Sequence, residues 1–421
     1  MSEVTLRPWG PDDLPLLEAA NTPEMTRHLG GPETPDQVRE RHARYLRLVE
    51  SGEAWMFRID VAGQPAGGIG FWPVEQDGKP AYEAGWNVLP GWQGRGVARE
   101  ALGLLLRFIA DEAPHRDRLY ACPAVDNAPS NALCRAAGFI DRGEQDEPYR
   151  GTILRLRMWE LDMSPLHLEG REPDVDERFP GTALDLQRWW PHYLPHWSSR
   201  ERAAARYAVD DGLTLRIDVD TAPWAPEVDG DVRVSHLQTG QFNGPVGSGV
   251  GQHRFRDGLV VREEQPAHRG WMLRHGVVSA RFAAIRHPAA MVALWPIGFE
   301  EHPEESGEIC VAEIFGSDLD DDGGWVGVGV KAHHDPRLRT DFDRVRVPGD
   351  LTAMHDYAVE WTPGRLRFFI DGRWVKTVAQ RIDYPVQLML DVFELPGDAP
   401  RDVSQHPLLF RVARVASYPP A

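Results

Sequence analysis

The sequence predicts two domains of different class: an α/β domain with a mixed central sheet and helices on both faces, then an all-β jelly-roll sandwich. Three observations carry this. Residues up to 163 alternate strands with helices, whereas the remainder reads as short strands broken by Gly/Pro turns with little helix. Between them, the stretch from Met163-Ser164-Pro165 to Glu177 is polar, contains prolines and lacks apolar periodicity, so it reads as a linker. The chain, at 421 residues, also exceeds one ordinary core. These place the first domain at 1–163, the linker at 164–178 and the second domain at 179–421.

In the first domain, Val4 to Pro8 reads as a strand, and Pro11 to Ala20 and Pro35 to Ser51 as helices. The second helix carries Val38, Tyr45, Leu46 and Val49 at helical spacing. Three strands follow, Trp55 to Val61, Pro65 to Pro73 and Ala81 to Val88, separated by the turn sequences Ala62-Gly63-Gln64 and Gln76-Asp77-Gly78-Lys79. Next comes Gln93-Gly94-Arg95-Gly96-Val97-Ala98, which opens an apolar helix from Ala98 to Asp111. A strand, glycine-rich turn and helix leave the first helical amides unpaired beside the positive end of the helix dipole, a ready site for phosphate. Glycines at 94 and 96 let a pyrophosphate reach the backbone.

The segment Trp86-Asn87-Val88-Leu89-Pro90-Gly91-Trp92-Gln93-Gly94-Arg95-Gly96-Val97-Ala98 resembles the acetyl-CoA motif of the GNAT acyltransferase superfamily, Q/R-x-x-G-x-G/A after a splayed strand. Asn127-Ala128-Pro129-Ser130, followed by a helix and Gly138-Phe139, resembles that family's second motif. The likeness extends over about residues 3–162, including a final strand from Ile153 to Leu161. It implies acetyl-CoA as cosubstrate and an amine as acceptor. Trp86 and Val88 would offer backbone groups to the pantetheine arm, and Gln93, Gly94, Arg95, Gly96, Val97 and Ala98 would hold the pyrophosphate. Asn127 and Ser130 would bond the cofactor near its reactive end. Transfer needs a base for the ammonium and an acid for the thiolate. Glu83, on the strand leading to the cofactor, is the candidate base, with a solvent-facing strand acid as the alternative. Cys134 stands where many of these enzymes carry a tyrosine acid, and reads as a packed helix residue.

In the second domain, the informative run is Gly307-Glu308-Ile309-Cys310-Val311-Ala312-Glu313-Ile314-Phe315-Gly316. In a regular strand Glu308 and Glu313 would face opposite ways. One extra residue between Cys310 and Glu313 would bring them to one face, and such bulges are common beside active sites. Two carboxylates on one face are the equipment of a retaining glycosidase, roughly 5–5.5 Å apart. The run resembles the E-x-D-x-x-E signature of glycoside hydrolase family 16. His355-Asp356-Tyr357-Ala358-Val359-Glu360-Trp361, Phe368-Phe369-Ile370-Asp371-Gly372, Tyr207 to Ile217, Gly276 to Arg281 and Phe410 to Val415 fit the family's other strands, over roughly residues 175–421. The resemblance implies a concanavalin A-like lectin/glucanase jelly roll, a β-linked glucan or galactan as substrate, Glu308 as nucleophile and Glu313 as acid/base. Cys310 occupies the position of the family's tuning aspartate; a thiol donates only a weak hydrogen bond and ordinarily titrates near 8.5. Trp295, Phe315 and Trp271 are the candidate sugar-stacking aromatics, with Trp224 and Trp325 behind them; His333 and His334 are candidates to line the cleft.

Composition bounds the partners. A net charge of -18 argues against nucleic acid and anionic membrane surfaces. No apolar run approaches twenty residues and no export signal opens the chain, so a cytoplasmic protein is expected. Cys122, Cys134 and Cys310 have neither disulfide nor metal-ligand spacing. Asp318-Leu319-Asp320-Asp321-Asp322-Gly323 lacks EF-hand spacing and reads as a solvated acidic loop, so no metal is expected. The expected function is a bifunctional carbohydrate-related enzyme, an N-acetyltransferase joined to a retaining endo-type β-glycosidase. The alternative is an acetyltransferase carrying a lapsed, sugar-binding module.

Overall fold

The computed structural model describes residues 4–113, 115–397 and 400–420. The chain forms two compact units, one of residues 1–165 with 373–379 and the other of 166–372 with 380–421.

The first unit is built on β1 (Val4–Pro8), α1 (Leu14–Ala20), α2 (Pro23–Thr26), α3 (Pro35–Ser51), β2 (Trp55–Val61), β3 (Gln64–Gln76) and β4 (Lys79–Val88). It continues through α4 (Val97–Glu112), β5 (Arg118–Ala121), α5 (Ala128–Ala136), β6 (Ile140–Tyr149) and β7 (Thr152–Asp162). The sheet order is β1-β2-β3-β4-β5-β7-β6. Only β4 and β5 run parallel; their neighbours pair antiparallel. Thr34 starts α3 with a capping box, its hydroxyl accepting from the Gln37 amide while Gln37 Oε1 accepts from the Thr34 amide at 2.8 Å. Gly52 ends that helix in the left-handed region. One sheet face packs Met56 with Trp9, Leu16, Leu17 and Val38. From the opposite face Phe57 meets Phe108 of α4 at 5.0 Å, and Ala101, Leu102, Leu105 and Ile109 bury the helix stripe. Each such leucine contributes roughly 1.5–3 kcal/mol.

The second unit is a sandwich. One sheet orders Arg365–Ile370, His355–Thr362, Gly276–Phe282, Leu408–Tyr418, Leu213–Ile217 and Tyr207–Val209. The other orders Arg233–Gln238, Met389–Glu394, Ala290–Leu294 and Glu308–Phe315, continuing through Gly323–Lys331 to Asp341–Pro348. Its core includes Phe282 stacked on Tyr357 at 4.3 Å and edge-on to Phe410 at 5.2 Å.

One sequence expectation is corrected here. Residues 175–177, given to the linker on composition, form a strand against 415–417. Burial explains it: Glu177 is 5% exposed and accepts from the Phe179 amide and the Arg188 guanidinium. Tyr207 to Ile217 forms two antiparallel strands, because the chain reverses at Asp210-Asp211-Gly212, with Asp211 at φ 44°. The acidic loop at 318–323 is solvated, with Asp320 58% and Asp321 90% exposed, and its carboxylates meet arginines: Asp318 meets Arg344, Asp320 meets Arg346 at 2.5 Å and Asp321 meets Arg286 at 2.7 Å. Among the described residues no His/Cys/Asp/Glu group is placed to hold a metal, and no helix is long and apolar enough to cross a membrane.

Candidate active sites

In the first unit the β4–β5 ladder holds Tyr82↔Leu119 and Glu83↔Tyr120. Past Glu83 the strands diverge, while Trp86 and Val88 stay paired with Ile69 and Gly67 on the other edge. Gln93 donates Nε2–H to the Val88 carbonyl at 2.8 Å, which anchors the turn to the end of β4. Gly94 and Gly96 have φ of 72° and 83°, a region costly for side chains. Gly96 caps α4, and its carbonyl accepts from the amides of Arg99 and Glu100. The amides of Val97 and Ala98 lie ahead of that ladder, where an anion is stabilised. Arg95 places its guanidinium over the Trp92 ring at 5.4 Å.

Asn127 caps α5, its Oδ1 accepting from the Ser130 amide at 3.3 Å, so the two residues assigned to the cofactor's reactive end are held together. Glu83 is half-buried; burial, reinforced by Glu147, pushes its carboxyl up, the direction a general base near neutral pH requires. Burial also pushes up the neighbouring Cys122 thiol. Cys134 is fully buried and its thiol is pushed up to about 12, so it packs rather than donates. Sequence reasoning missed Asn131. Its Nδ2 donates to the carbonyls of Ala124 and Asn127, and its Oδ1 accepts from Trp159 Nε1 at 2.8 Å, tying α5 to β7.

In the second unit the register assembles the site in two rows. Lys331, Glu308, Ile297 and Gln387 are successive cross-strand partners. So are Gly327, Glu313, Ala293, Asp391 and His236. Between the rows the strand advances from Cys310 to Glu313 while its partner advances only from Gly329 to Gly327. That is one extra residue, and the bulge turns both carboxylates to the face carrying Lys331.

Lys331 Nζ lies 3.0 Å from Glu308 Oε1 and 2.8 Å from Glu313 Oε2. The two oxygens are thus no farther apart than the sum of those distances, which admits the roughly 5–5.5 Å of a retaining pair. His333, at φ 45°, sets Nε2 2.7 Å from Glu308 Oε2. Burial pushes the Glu308 carboxyl up, but the His333 hydrogen bond and the Lys331 charge outweigh it and hold it at about 2. Burial lowers Lys331, and the flanking carboxylates more than restore it. Cys310 is 1% exposed, and burial raises its thiol far above the usual range. Its Sγ faces the Gly327 carbonyl at 3.6 Å.

Trp295 is 7% exposed, and its indole N–H donates to Asp391 Oδ2 at 2.7 Å. His236 Nδ1 lies 3.0 Å from the same oxygen. His253 stands between the Trp295 ring, at 5.1 Å, and the His333 ring, at 5.0 Å. Phe315 is half-buried beyond Glu313, opposite Met291. Trp271 is a core residue, 6% exposed and edge-on to Trp189 at 5.9 Å, because the Thr239 hydroxyl bonds its carbonyl and fixes the strand end inward. Lys331, Asp391 and His236 were not found from sequence. Lys331 carried one signal, as one of three lysines in an arginine-rich chain.

Two family models match the chain. Residues 3–140 match the model of the acetyltransferase (GNAT) domain, and residues 270–396 that of glycosyl hydrolases family 16. Among solved structures, a GlcNAcα1-4Gal-releasing endo-β-galactosidase from Clostridium perfringens is 26% identical with a TM-score of 0.53. That alignment covers 61% of this chain and 65% of that one, so this chain spans less than two thirds of that structure's length. A laminarinase from Flavobacterium sp. UMI-01 is 15% identical over 59% of this chain and 100% of that one, with a TM-score of 0.42. RimL, a ribosomal L7/L12 α-N-protein acetyltransferase in complex with coenzyme A, is 21% identical over 38% of this chain and 95% of that one, with a TM-score of 0.34. No curated protein matches the chain. The chain thus joins an acetyltransferase (GNAT) domain to a glycosyl hydrolase family 16 domain.

Proposed function

We propose that the protein is a bifunctional carbohydrate-related enzyme, an acetyl-CoA-dependent N-acetyltransferase joined to a retaining endo-type β-glycosidase acting on a β-linked glucan or galactan. The observation that carries the glycosidase reading is the bulge that puts Glu308 and Glu313 on one face around Lys331. Glu308, ionised and oriented by His333, attacks the anomeric carbon. Glu313 protonates the departing oxygen and then deprotonates the water that releases the sugar. The endo-β-galactosidase relative favours a β-galactoside. In the first unit the acceptor amine, deprotonated by Glu83, attacks the thioester carbonyl; the C–S bond breaks and the thiolate takes up a proton. The glycine turn fits the pyrophosphate, since nothing lies within 4 Å of a Cβ placed at Gly94. The cysteines are unpaired, which supports a reducing compartment such as the cytoplasm.

The second reading, a lapsed saccharide-binding module, is favoured by one specific arrangement. Lys331 Nζ sits within 3.0 Å of both carboxylates, and the Cys310 thiol points its S–H at the Gly327 carbonyl instead of at Glu308.

Reducing-end release from β-glucans and β-galactans, measured on the full chain, separates the two. Under the glycosidase reading, Glu308→Gln loses at least about a thousandfold in rate, with its folded spectrum unchanged. Absence of release from the parent together with a gain in Cys310→Asp would establish the lapsed reading. For the first unit, Glu83→Gln lowers kcat for acetyl transfer to amines by about a hundredfold. Gly96→Ala instead raises the KM for acetyl-CoA about tenfold, because an L side chain at left-handed φ costs roughly 1–2 kcal/mol. Equal KM values for Gly96→Ala and parent would remove the turn from the cofactor site.

A further inference from the structure

We infer that Asp391 is a positioning residue for the nucleophile: through the Trp295 indole and the rings of His253 and His333 it fixes the direction in which the Glu308 carboxylate points. This rests on the reading that Glu308 attacks a glycoside.

Asp391 lies on the strand Met389–Glu394, in the row of Gly327, Glu313, Ala293 and His236, and is 0% exposed. Its Oδ2 accepts the Trp295 indole N–H at 2.7 Å and lies 3.0 Å from His236 Nδ1, while Oδ1 has no partner among the described residues. His236 is equally buried, edge-on to the Tyr193 ring at 4.9 Å, and its Nε2 is also without a partner among the described residues. A carboxyl group taken wholly out of water with one oxygen unpaired is destabilising, and an apolar side chain of the same size would fill the place without that penalty. Burial and the Glu308 charge push this carboxyl up against the His236 and Trp295 hydrogen bonds. Stability therefore does not account for an acid here; holding the indole does.

Trp295 follows the strand Ala290–Leu294 and precedes Pro296. Its amide donates to the Met389 carbonyl at 2.9 Å, so main chain and ring are both tied to the Asp391 strand. From that fixed ring the contacts run outward to the nucleophile. His253 stands edge-on to Trp295, with ring centres 5.1 Å apart and planes at 62°, and His333 stands edge-on to His253 at 5.0 Å and 83°. His333 then places Nε2 2.7 Å from Glu308 Oε2. Both histidines are left-handed, with φ of 48° at His253 and 45° at His333. Side chains keep such a backbone only where the surroundings hold it. The His253 amide is tied to Glu300 Oε1 at 2.6 Å, and the ring stack on Trp295 supplies the rest.

A carboxylate that must attack along one line gains rate from this orientation and loses it when its partner drifts. Against burial, the His333 hydrogen bond and then the charges of Lys331, His333 and His253 hold the Glu308 carboxyl at about 2. Displacing His333 removes a bond to the charged form and so moves that carboxyl upward.

The test compares Asp391→Leu, Asp391→Asn and Trp295→Phe in the full-length chain. Asparagine keeps a carbonyl oxygen for the indole, and phenylalanine keeps a ring but removes its N–H. Asp391→Leu and Trp295→Phe are expected to lower kcat for reducing-end release about tenfold with KM unchanged, and Asp391→Asn to stay within about threefold of the parent. In the profile of kcat/KM from about pH 2 to 7, the acid limb moves up by about one pH unit in the first two variants and stays in place in Asp391→Asn. Combining Asp391→Leu with Trp295→Phe adds nothing to either change alone. A readout independent of turnover is proton cross-relaxation between the His253 and His333 rings in histidine-labelled protein, lost in Asp391→Leu and kept in Asp391→Asn. An unmoved acid limb or an intact ring contact in folded Asp391→Leu makes the carboxyl a packing residue and overturns the inference, as does an Asp391→Asn variant as impaired as Asp391→Leu. Should Asp391→Leu not fold, the same outcomes in Trp295→Phe decide. Release absent from the parent removes the glycosidase reading, and the ring contact still decides whether Asp391 acts through His333.

Discussion

Lys331→Met is expected to destabilise the protein by about 2 kcal/mol at pH 7 and by markedly less at pH 5. The ammonium lies within 3.0 Å of two carboxylates that the bulge has forced onto one face. Removing one member of a buried ion network leaves uncompensated charge and costs about 3–5 kcal/mol when burial is complete. Lys331 keeps 28% of its side-chain exposure and Glu313 18%, so solvent and His333 recover part of the loss. Methionine preserves the apolar stem over Phe342, which isolates the charge. Without the ammonium, the mutual repulsion of two carboxylates on one face raises the variant pair's affinity for a proton, so a pH below 7 relieves part of the loss. Denaturant melts of both proteins at the two pH values check this. A deficit independent of pH would mean that Lys331 acts through packing, and would leave the site without its central counter-ion.

That a carboxylate pair existed was legible because Glu308 and Glu313 stand five residues apart in an otherwise apolar run, and only a bulge reconciles that spacing with one buried face. Their partners were not. Lys331, Asp391 and His236 come from other strands, and only the register shows that they share a row with the glutamates; His333, a cleft candidate from sequence, reaches Glu308 from the turn after Lys331. The same logic governs the elements. α3 announces itself by Thr34, Pro35, Gln37 and a closing Gly52. β6 was silent because Asp141, Arg142, Glu144, Asp146 and Glu147 leave it almost wholly exposed, with no apolar alternation to read. It forms because β7 supplies a ladder and Arg155 and Arg157 pair with Glu144. Trp271 shows the converse limit: a tryptophan beside a strand is a sugar platform or a core residue according to packing that the sequence does not carry.

Glu300→Gln is expected to leave stability near pH 4.5 unchanged and to raise it at pH 8 by on the order of 4 kcal/mol. Glu300 is 3% exposed at φ 60°, and its Oε1 accepts from the His253 amide; Oε2 has no partner among the described residues. Burial pushes its carboxyl up to about 8 against the His253 hydrogen bond and the Arg254 charge. From its ordinary value near 4.5 up to about 8 the folded state keeps a proton that the unfolded chain has released, so stability falls as pH rises through that window. Glutamine copies the protonated shape, keeps an acceptor for His253 and removes the titration. Glu308 has the opposite sign. Its carboxyl is held at about 2, so its contribution, roughly 3 kcal/mol, is complete above pH 4.5 and disappears as pH falls toward 2. The two groups together place a stability maximum near pH 4.5, and Glu300→Gln converts its alkaline slope into a plateau while leaving the acid limb in place. Denaturant midpoints between pH 2 and 9 for the two proteins decide it. Parallel curves would show that the Glu300 carboxyl is ionised in the folded protein at neutral pH.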